Sequence, residues 1–252
     1  MISIKTEEEL KIMKKSGQIT TQAMEKTLQA IKIGRTKKEL DKVAKGEIER
    51  LGGKSSFMSV PNYHWTTCVT INEEVVHGVP NNDQIRGGDL VSVDLGTLYK
   101  GFHTDMARTV AVGKVDSKLE NFLKTGKKAL EAATLKIRDG ARVSDISKVI
   151  QTVVESDGYS VVRVLTGHGI GKSLHEDPYV PGYVEEGESP KLVKGMTIAV
   201  EVIYTMGECE VVSKGDDGWT LTTADGSLSA LFEDTIAVGK SGPIVLTSLA
   251  KN

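Results

Sequence analysis

The chain has 252 residues, enough for one large domain or two small ones. Its 39% hydrophobic and 26% charged content is typical of globular proteins, and a net charge of −2 gives no general indication of nucleic-acid or membrane-surface binding. The sequence shows no apolar run long enough for a bilayer, no signal-peptide core and only two cysteines. We therefore expect a cytoplasmic protein without membrane contact.

The first fifty residues are predicted to form two helices. Thr6 and Glu9 have the spacing of a capping box at the start of the first, and the second begins near Thr36 and ends at Gly52 and Gly53. The many lysines of this region could form a surface for an acidic partner such as the ribosome. Glutamates alternate with them, so a solvated helix face is the favoured interpretation.

The stretch from Phe57 to Val79 is rich in aromatic and β-branched residues and is predicted to be strand-like. Alternation around Cys68 indicates one strand, and residues 72–74 indicate a turn. A short second strand is predicted over Val75–Pro80.

A β-hairpin is predicted over Val91–Val112, which alternates on both sides of a turn. If the turn centres between Tyr99 and Lys100, Asp94 lies directly opposite Asp105. Like charges opposed on a sheet are destabilising, and burial adds to the cost. A multivalent cation would remove this cost; the alternatives are that both carboxylates are solvated or that one is protonated.

Segments 31–52 and 137–158 align with each other at a constant offset, with matching glycines at both ends. The match could be chance, but it is also typical of a duplicated α/β half-domain with a site between the halves. No linker-like composition divides the chain. We expect one domain, 1–252, with halves of about 1–115 and 116–252.

The second half is predicted to contain a helix, a hairpin and three further strands. The ranges are Lys118–Leu135 for the helix, Gly207–Leu221 for the hairpin, and Ser160–Leu165, Met196–Tyr204 and Leu231–Val238 for the strands.

Four side chains of this half are candidates for chemistry. His168 lies between two glycines in the motif TGHGIGKSLHEDP, which also contains His175. Glu201 and Glu233 interrupt apolar, β-forming runs, where an unpaired charge is costly. A salt bridge to a lysine or arginine is the simplest alternative for each glutamate.

Taken together, the candidates form a set with too much negative charge to share a pocket without a cation. Oxygen ligands with one nitrogen suit divalent Mn, Fe, Co or Zn, and two such ions can share carboxylates and activate a water molecule. The candidate metal ligands are Asp94, Asp105, His168, Glu201 and Glu233.

Several motifs, with this spacing, resemble those of the methionine aminopeptidases. They are NEEVVHGVP, VSVDLG, GFHTDMART, TGHGIGKSLHEDP, AVEVIY and SLSALFEDT, and the similarity covers nearly the whole chain. The resemblance implies the pita-bread fold, an α/β (α+β) architecture of two pseudo-symmetric halves with an antiparallel sheet and outer helices.

The resemblance also implies roles for these residues. The five candidate ligands would hold a dinuclear centre of divalent ions, with Asp105 and Glu233 bridging and Glu201 shuttling a proton. His77 would contact the backbone of the substrate's second residue, and His175 the scissile carbonyl and its oxyanion. The methionine side chain would be bound by Phe57, Tyr63, Cys68, Leu174 and Trp219.

The subtype expected is type I. The short interval between Glu201 and Glu233 leaves no room for the helical insertion of type II enzymes, and no zinc-binding extension precedes the catalytic region. Three positions depart from the family pattern, which usually has proline, histidine and phenylalanine there: Val202, Asp234 and Leu174.

The expected function is removal of the initiator methionine from nascent polypeptide N-termini when the second residue is small. The enzyme is expected to be a monomer with no specific nucleic-acid partner. Alternatives are an Xaa-Pro peptidase of the same fold and a non-catalytic relative that binds ribosome or nucleic acid. His103 is assigned a structural role beside Asp105, and His64 a surface position.

Overall fold

The computed structural model describes residues 2–215 and 217–249. Its helices begin where the sequence predicts: Thr6 and Glu9 cap each other at the start of the first, and Thr36 and Glu39 repeat the capping box at the second. The described residues form four α-helices: α1 (Glu7–Ala30), α2 (Lys37–Arg50), α3 (Ser117–Thr134) and α4 (Val143–Ser156). None of them is both long and apolar enough to span a membrane.

Four of the described strands lie outside the predicted ranges: Lys54–Ser55, Thr166–Gly169, Glu176–Pro181 and Pro243–Val245. The strand predicted over Val75–Pro80 ends at Val76. Only Ser160–Val161 of the predicted strand Ser160–Leu165 is extended, and Phe57–Ser59 is a 3-10 helix and not part of a strand. The strands are β1 (Lys54–Ser55), β2 (Thr67–Ile71), β3 (Glu74–Val76), β4 (Leu90–Tyr99), β5 (Phe102–Ala111), β6 (Ser160–Val161), β7 (Thr166–Gly169), β8 (Glu176–Pro181), β9 (Thr197–Thr205), β10 (Val211–Ser213), β11 (Leu221–Thr223), β12 (Ser229–Val238) and β13 (Pro243–Val245).

One antiparallel sheet joins the two halves of the chain. Its main strand order is β1-β4-β5-β12-β9-β7-β8, with β2 beside β4, β6 beside β9 and β13 beside β12. The strands β10, β11 and β3 form a small second sheet. Helix α1 packs on β4 and β5, and α3 packs on β9 and β12. The helices thus cover one face of the sheet, as two apolar clusters around Val93 and Phe232 show.

The repeated segments of the sequence have corresponding local structures. Helices α2 and α4 each contain 14 residues. The glycines before them, Gly34 and Gly140, both have φ of 83°, and those after them, Gly52 and Gly158, have φ of 83° and 82°. Glycine adopts this left-handed conformation without strain, so equivalent glycines form the turns before and after both helices. The boundary near residue 115 stays a prediction.

The register predicted for the hairpin is wrong by two residues. Strands β4 and β5 pair with Tyr99 opposite Phe102, so that Asp94 faces Ala107 and Asp105 lies diagonally. The cause is the turn: Lys100 and Gly101 have φ of 48° and 84° and form a two-residue connection of the type whose twist suits a hairpin. A shift of two residues keeps both aspartates on the same face.

Candidate active site

The sheet aligns the candidate carboxylates through its register. A row of paired residues crosses five strands, from Cys68 on β2 through Asp94 on β4, Ala107 on β5 and Glu233 on β12 to Glu201 on β9. Paired residues share a face, and this face is the one opposite α1 and α3. In this row the small side chain of Ala107 lies between the carboxylates of Asp94 and Glu233.

The two remaining candidates lie just beside this row. Asp105 is two residues away from it on β5, and His168 on β7 pairs with a residue two positions from Glu201. Ligand atoms of Asp105, His168 and Glu233 all lie within 4.8 Å of one another, and Nε2 of His168 is 3.7 Å from Oε1 of Glu201. Five side chains from both halves of the chain therefore converge.

The electrostatics of this cluster favour a bound cation. Burial raises the pKa of Asp105 to about 7. Burial and the charge of Asp105 together raise the pKa of Glu201 to about 8. Burial and the neighbouring carboxylates raise the pKa of Asp94 and of Glu233 well above the usual range. Among the described residues, Asp94 Oδ1 and Glu233 Oε1 are buried without a hydrogen-bond partner. A divalent ion would satisfy both atoms.

The alternative of salt bridges to lysine or arginine does not apply. In the described part of the chain, no such cation lies within 4.0 Å of the carboxylate of Glu201 or Glu233. The charges of these glutamates are therefore available to a ligand.

His168 is prepared to act as a neutral nitrogen ligand. Its Nδ1 donates a hydrogen bond to the carbonyl oxygen of Gly169 at 2.8 Å, which leaves the lone pair of Nε2 toward Glu201. Desolvation lowers the pKa of His168 to about 4. The flanking glycines are required by neighbouring strands, since a Cβ at Gly167 or Gly169 would lie 2.4 or 2.1 Å from the oxygen of Ala199 or Asp177.

His77 and His175 are accessible at the edge of the cluster. The His175 ring contacts that of His168 edge-on, with centroids 4.4 Å apart. His77 follows β3 with a φ of 58°, and the nearby His175 contributes to lowering the pKa of His77. Desolvation lowers the pKa of both, so both are neutral at pH 7 and can donate one hydrogen bond each.

All five side chains predicted to bind methionine belong to one apolar cluster. The ring of Tyr63 lies edge-on to Trp219 with centroids 5.1 Å apart, and to Phe57 at 6.4 Å. Its hydroxyl is 3.1 Å from Sγ of Cys68, which is paired with Asp94 in the sheet. The apolar cluster, completed by Leu174, therefore adjoins the carboxylates.

Asp234, a departure from the family pattern, has a partner of its own. Both of its carboxylate oxygens accept hydrogen bonds from Nη2 of Arg108, at 2.8 and 2.9 Å, and Thr247 donates another at 3.0 Å. Because successive side chains of a strand point to opposite faces, Asp234 and its partner lie on the face of the sheet opposite Glu233. The sequence analysis did not predict Arg108 as the partner of Asp234. Alternation along β5 places Arg108 on the face opposite Asp105, and this pattern could have indicated a charged partner on that face.

The other two histidines do not join the cluster. His103 is buried, and its Nδ1 lies 3.0 Å from the hydroxyl of Ser56. His64 is exposed. Both positions agree with the structural and surface assignments made from the sequence.

Comparison with known proteins identifies the family. The family model "Metallopeptidase family M24" matches residues 11–240. A methionine aminopeptidase of Clostridium perfringens is 39% identical over 98% of this chain and 99% of its own length, and methionine aminopeptidase 1 of Bacillus subtilis is 38% identical with the same coverage. The crystal structure of a methionine aminopeptidase from Thermotoga maritima superposes with a TM-score of 0.95 at 40% identity, covering 98% of this chain and all of that one. These matches confirm the predicted pita-bread fold.

A prolidase from Pyrococcus furiosus has the same fold. It superposes with a TM-score of 0.81 at 23% identity, and this chain covers 66% of it. At that identity the likeness concerns the fold alone.

Proposed function

The chain belongs to metallopeptidase family M24, and on that premise we propose that it is a metalloaminopeptidase that removes N-terminal methionine. One observation supports the proposal beyond the family: four carboxyl groups and one imidazole, the side-chain types that bind divalent metals, converge on one face of the sheet beside an aromatic, sulfur-containing cluster. Such walls suit a thioether side chain.

The number and the identity of the metal ions are part of the proposal. Asp94, Asp105, His168, Glu201 and Glu233 would hold two divalent ions, Co, Mn, Fe or Zn. When bound, such ions polarise the scissile carbonyl and lower the pKa of water. The donor set fits, because it contains four carboxyl groups and a neutral imidazole and has buried, unpartnered oxygens.

The chain's own residues perform the remaining steps. The cluster of Phe57, Tyr63, Cys68, Leu174 and Trp219 binds the methionine side chain. His175 donates a hydrogen bond to the scissile carbonyl oxygen, where negative charge develops, and His77 contacts the backbone of the second residue. Glu201 accepts a proton from the attacking water and delivers it to the leaving amine. We expect the space beside His77 to restrict the second residue to small side chains.

The substrate class is tested by comparing two peptides with added Mn, Co, Fe or Zn. We expect hydrolysis of Met-Ala-Ser to release methionine and Ala-Pro to remain intact, because the apolar cluster selects methionine. The products are measured by mass spectrometry. Cleavage of Ala-Pro alone would identify an Xaa-Pro peptidase, and cleavage of neither a non-catalytic relative.

His175→Ala should lower kcat for Met-Ala-Ser by roughly 100- to 1,000-fold, as expected for loss of one oxyanion donor. The exposed His64 provides the matched control, since His64→Ala should leave kcat within about twofold. Equal kcat values for the two variants would remove His175 from the mechanism.

Partners and location stay predictions. We propose that the substrates are nascent polypeptide N-termini in the cytoplasm and that the enzyme is a monomer. Ribosome contact through the lysine-rich α1 and α2 is testable by co-sedimentation with ribosomes at low and high salt.

A further inference from the structure

Glu176, which directly follows His175, forms a buried ion pair with Lys5. The Nζ atom of Lys5 is 2.6 Å from Oε2 of Glu176, and the two side chains are only 2% and 11% exposed. The other carboxylate oxygen accepts a hydrogen bond from the backbone of Ser173 at 3.1 Å. The N-terminal segment is thereby connected to the loop that carries His175.

The segment that carries Lys5 is itself fixed to the turn that precedes β9. The backbone of Lys5 donates to the carbonyl of Gly195 at 2.8 Å. Its side chain then runs beneath the loop 171–175, where a Cβ added at Gly171 would lie 2.4 Å from Cε of Lys5. The loop therefore rests directly on the lysine side chain.

The same loop is held from its inner side by β5. The backbone N–H of His103 donates to the carbonyl of Gly171 at 2.7 Å. An outer contact joins Lys172 to Glu9 on α1 at 3.1 Å, but Lys172 is 68% exposed, so this pair is screened by solvent. Of the two ion pairs at this loop, the buried one between Lys5 and Glu176 is therefore the stronger constraint.

We propose that Lys5 is a positioning residue that, through Glu176, holds the His175 imidazole in place for the scissile carbonyl. The inference rests on the proposed function, in which His175 contacts the substrate. Removing Lys5 leaves a buried carboxylate without its cation, so Glu176 is expected to turn toward water and to displace the residue beside it. Misplacement of a catalytic group by about 1 Å can cost roughly 100-fold in rate.

The test is a mutant cycle on the intact enzyme with added metal. Lys5→Met should lower kcat for Met-Ala-Ser by about 10- to 100-fold with KM changed by less than about twofold, because the methionine-binding cluster is untouched. Lys5→Arg should restore most of the rate. In a His175→Ala background, Lys5→Met should change kcat by less than about twofold, since the group it positions is gone.

Two further variants separate this role from general stabilisation. Lys172→Met removes the exposed cation of the same loop and should leave kcat unchanged. Glu176→Gln should reproduce the loss of Lys5→Met, and the double variant should be no slower than the slower single variant. If Lys5→Met keeps the wild-type kcat, or lowers kcat equally with and without His175, the inference is wrong.

Side-chain NMR of the histidine rings provides a readout that does not depend on activity. Lys5→Met should shift the ¹⁵N resonances of His175 and leave those of the exposed His64 unchanged. Unchanged His175 resonances would also overturn the inference. If the wild-type enzyme releases no methionine with any metal, the proposed function fails, and these spectra still decide whether Lys5 positions His175.

Discussion

Asp105→Asn should lower kcat/KM for Met-Ala-Ser by at least about a thousandfold, because metal assistance contributes several kcal/mol to such reactions. The Asp105 carboxylate is buried and lies within 4.8 Å of the ligand atoms of both His168 and Glu233. The backbone N–H of Asp105 donates a hydrogen bond to the hydroxyl of Thr235, and that hydroxyl donates to the backbone carbonyl of Asp105. These bonds fix β5 on β12, so the strand cannot slide to bring another side chain into the position of Asp105. A neutral amide is a poorer ligand for divalent ions.

The metal content of the purified protein distinguishes loss of the centre from loss of catalysis. Asp105→Asn should lower the bound metal measured by mass spectrometry to near zero. Asp94→Asn should retain part of it, because Asp94 lies outside the tightest group of ligand atoms. Asp116→Asn is the matched control: Asp116 is an exposed N-cap of α3, and asparagine caps equally well. Full metal binding by Asp105→Asn would contradict the assignment of this cluster.

The metal-free protein should lose stability as the pH rises from 7 to 9. The pKa of Asp105 is raised to about 7 and that of Glu201 to about 8, and burial raises those of Asp94 and Glu233 well above the usual range, so the folded state retains protons that the unfolded state has released. Unfolding then becomes easier with rising pH. The buried histidines act with the opposite sign, but their contribution is complete above about pH 6.5.

The effect is measured as the melting temperature in a chelator at pH 7 and pH 9. One retained proton over two pH units corresponds to about 3 kcal/mol, or roughly 6–12 °C for a chain of this size. Glu233→Gln should reduce this fall by at least about 5 °C, and added Mn or Co should abolish it in the wild-type protein. Glu120→Gln, on the surface of α3, is the control. An equal fall for Glu233→Gln and wild type would contradict the buried-carboxylate account.

Much of the local structure could be predicted because its causes are local. The capping box predicted at Thr6 requires only a side chain and the backbone three residues on, and it is present; the helix predicted to begin near Thr36 is confirmed as well. Apolar, β-forming runs predicted strands around Glu201 and Glu233, and the charge within each run indicated a candidate site. The hairpin failed in register because the turn conformation depends on φ at Lys100 and Gly101, which composition alone left ambiguous.

The sequence by itself determined which residue types could bind metal and methionine and, through its motifs, which family they belong to. Only the tertiary structure decided how they meet. Pairing of β12 with β5 and β9 brings Glu233 between Asp105 and Glu201, across separations that no local pattern encodes. The same holds for the pairs Arg108–Asp234 and Lys5–Glu176, each joined across more than a hundred residues. Such contacts arise when apolar faces of distant elements are buried together, and only that packing selects the partner of each charge.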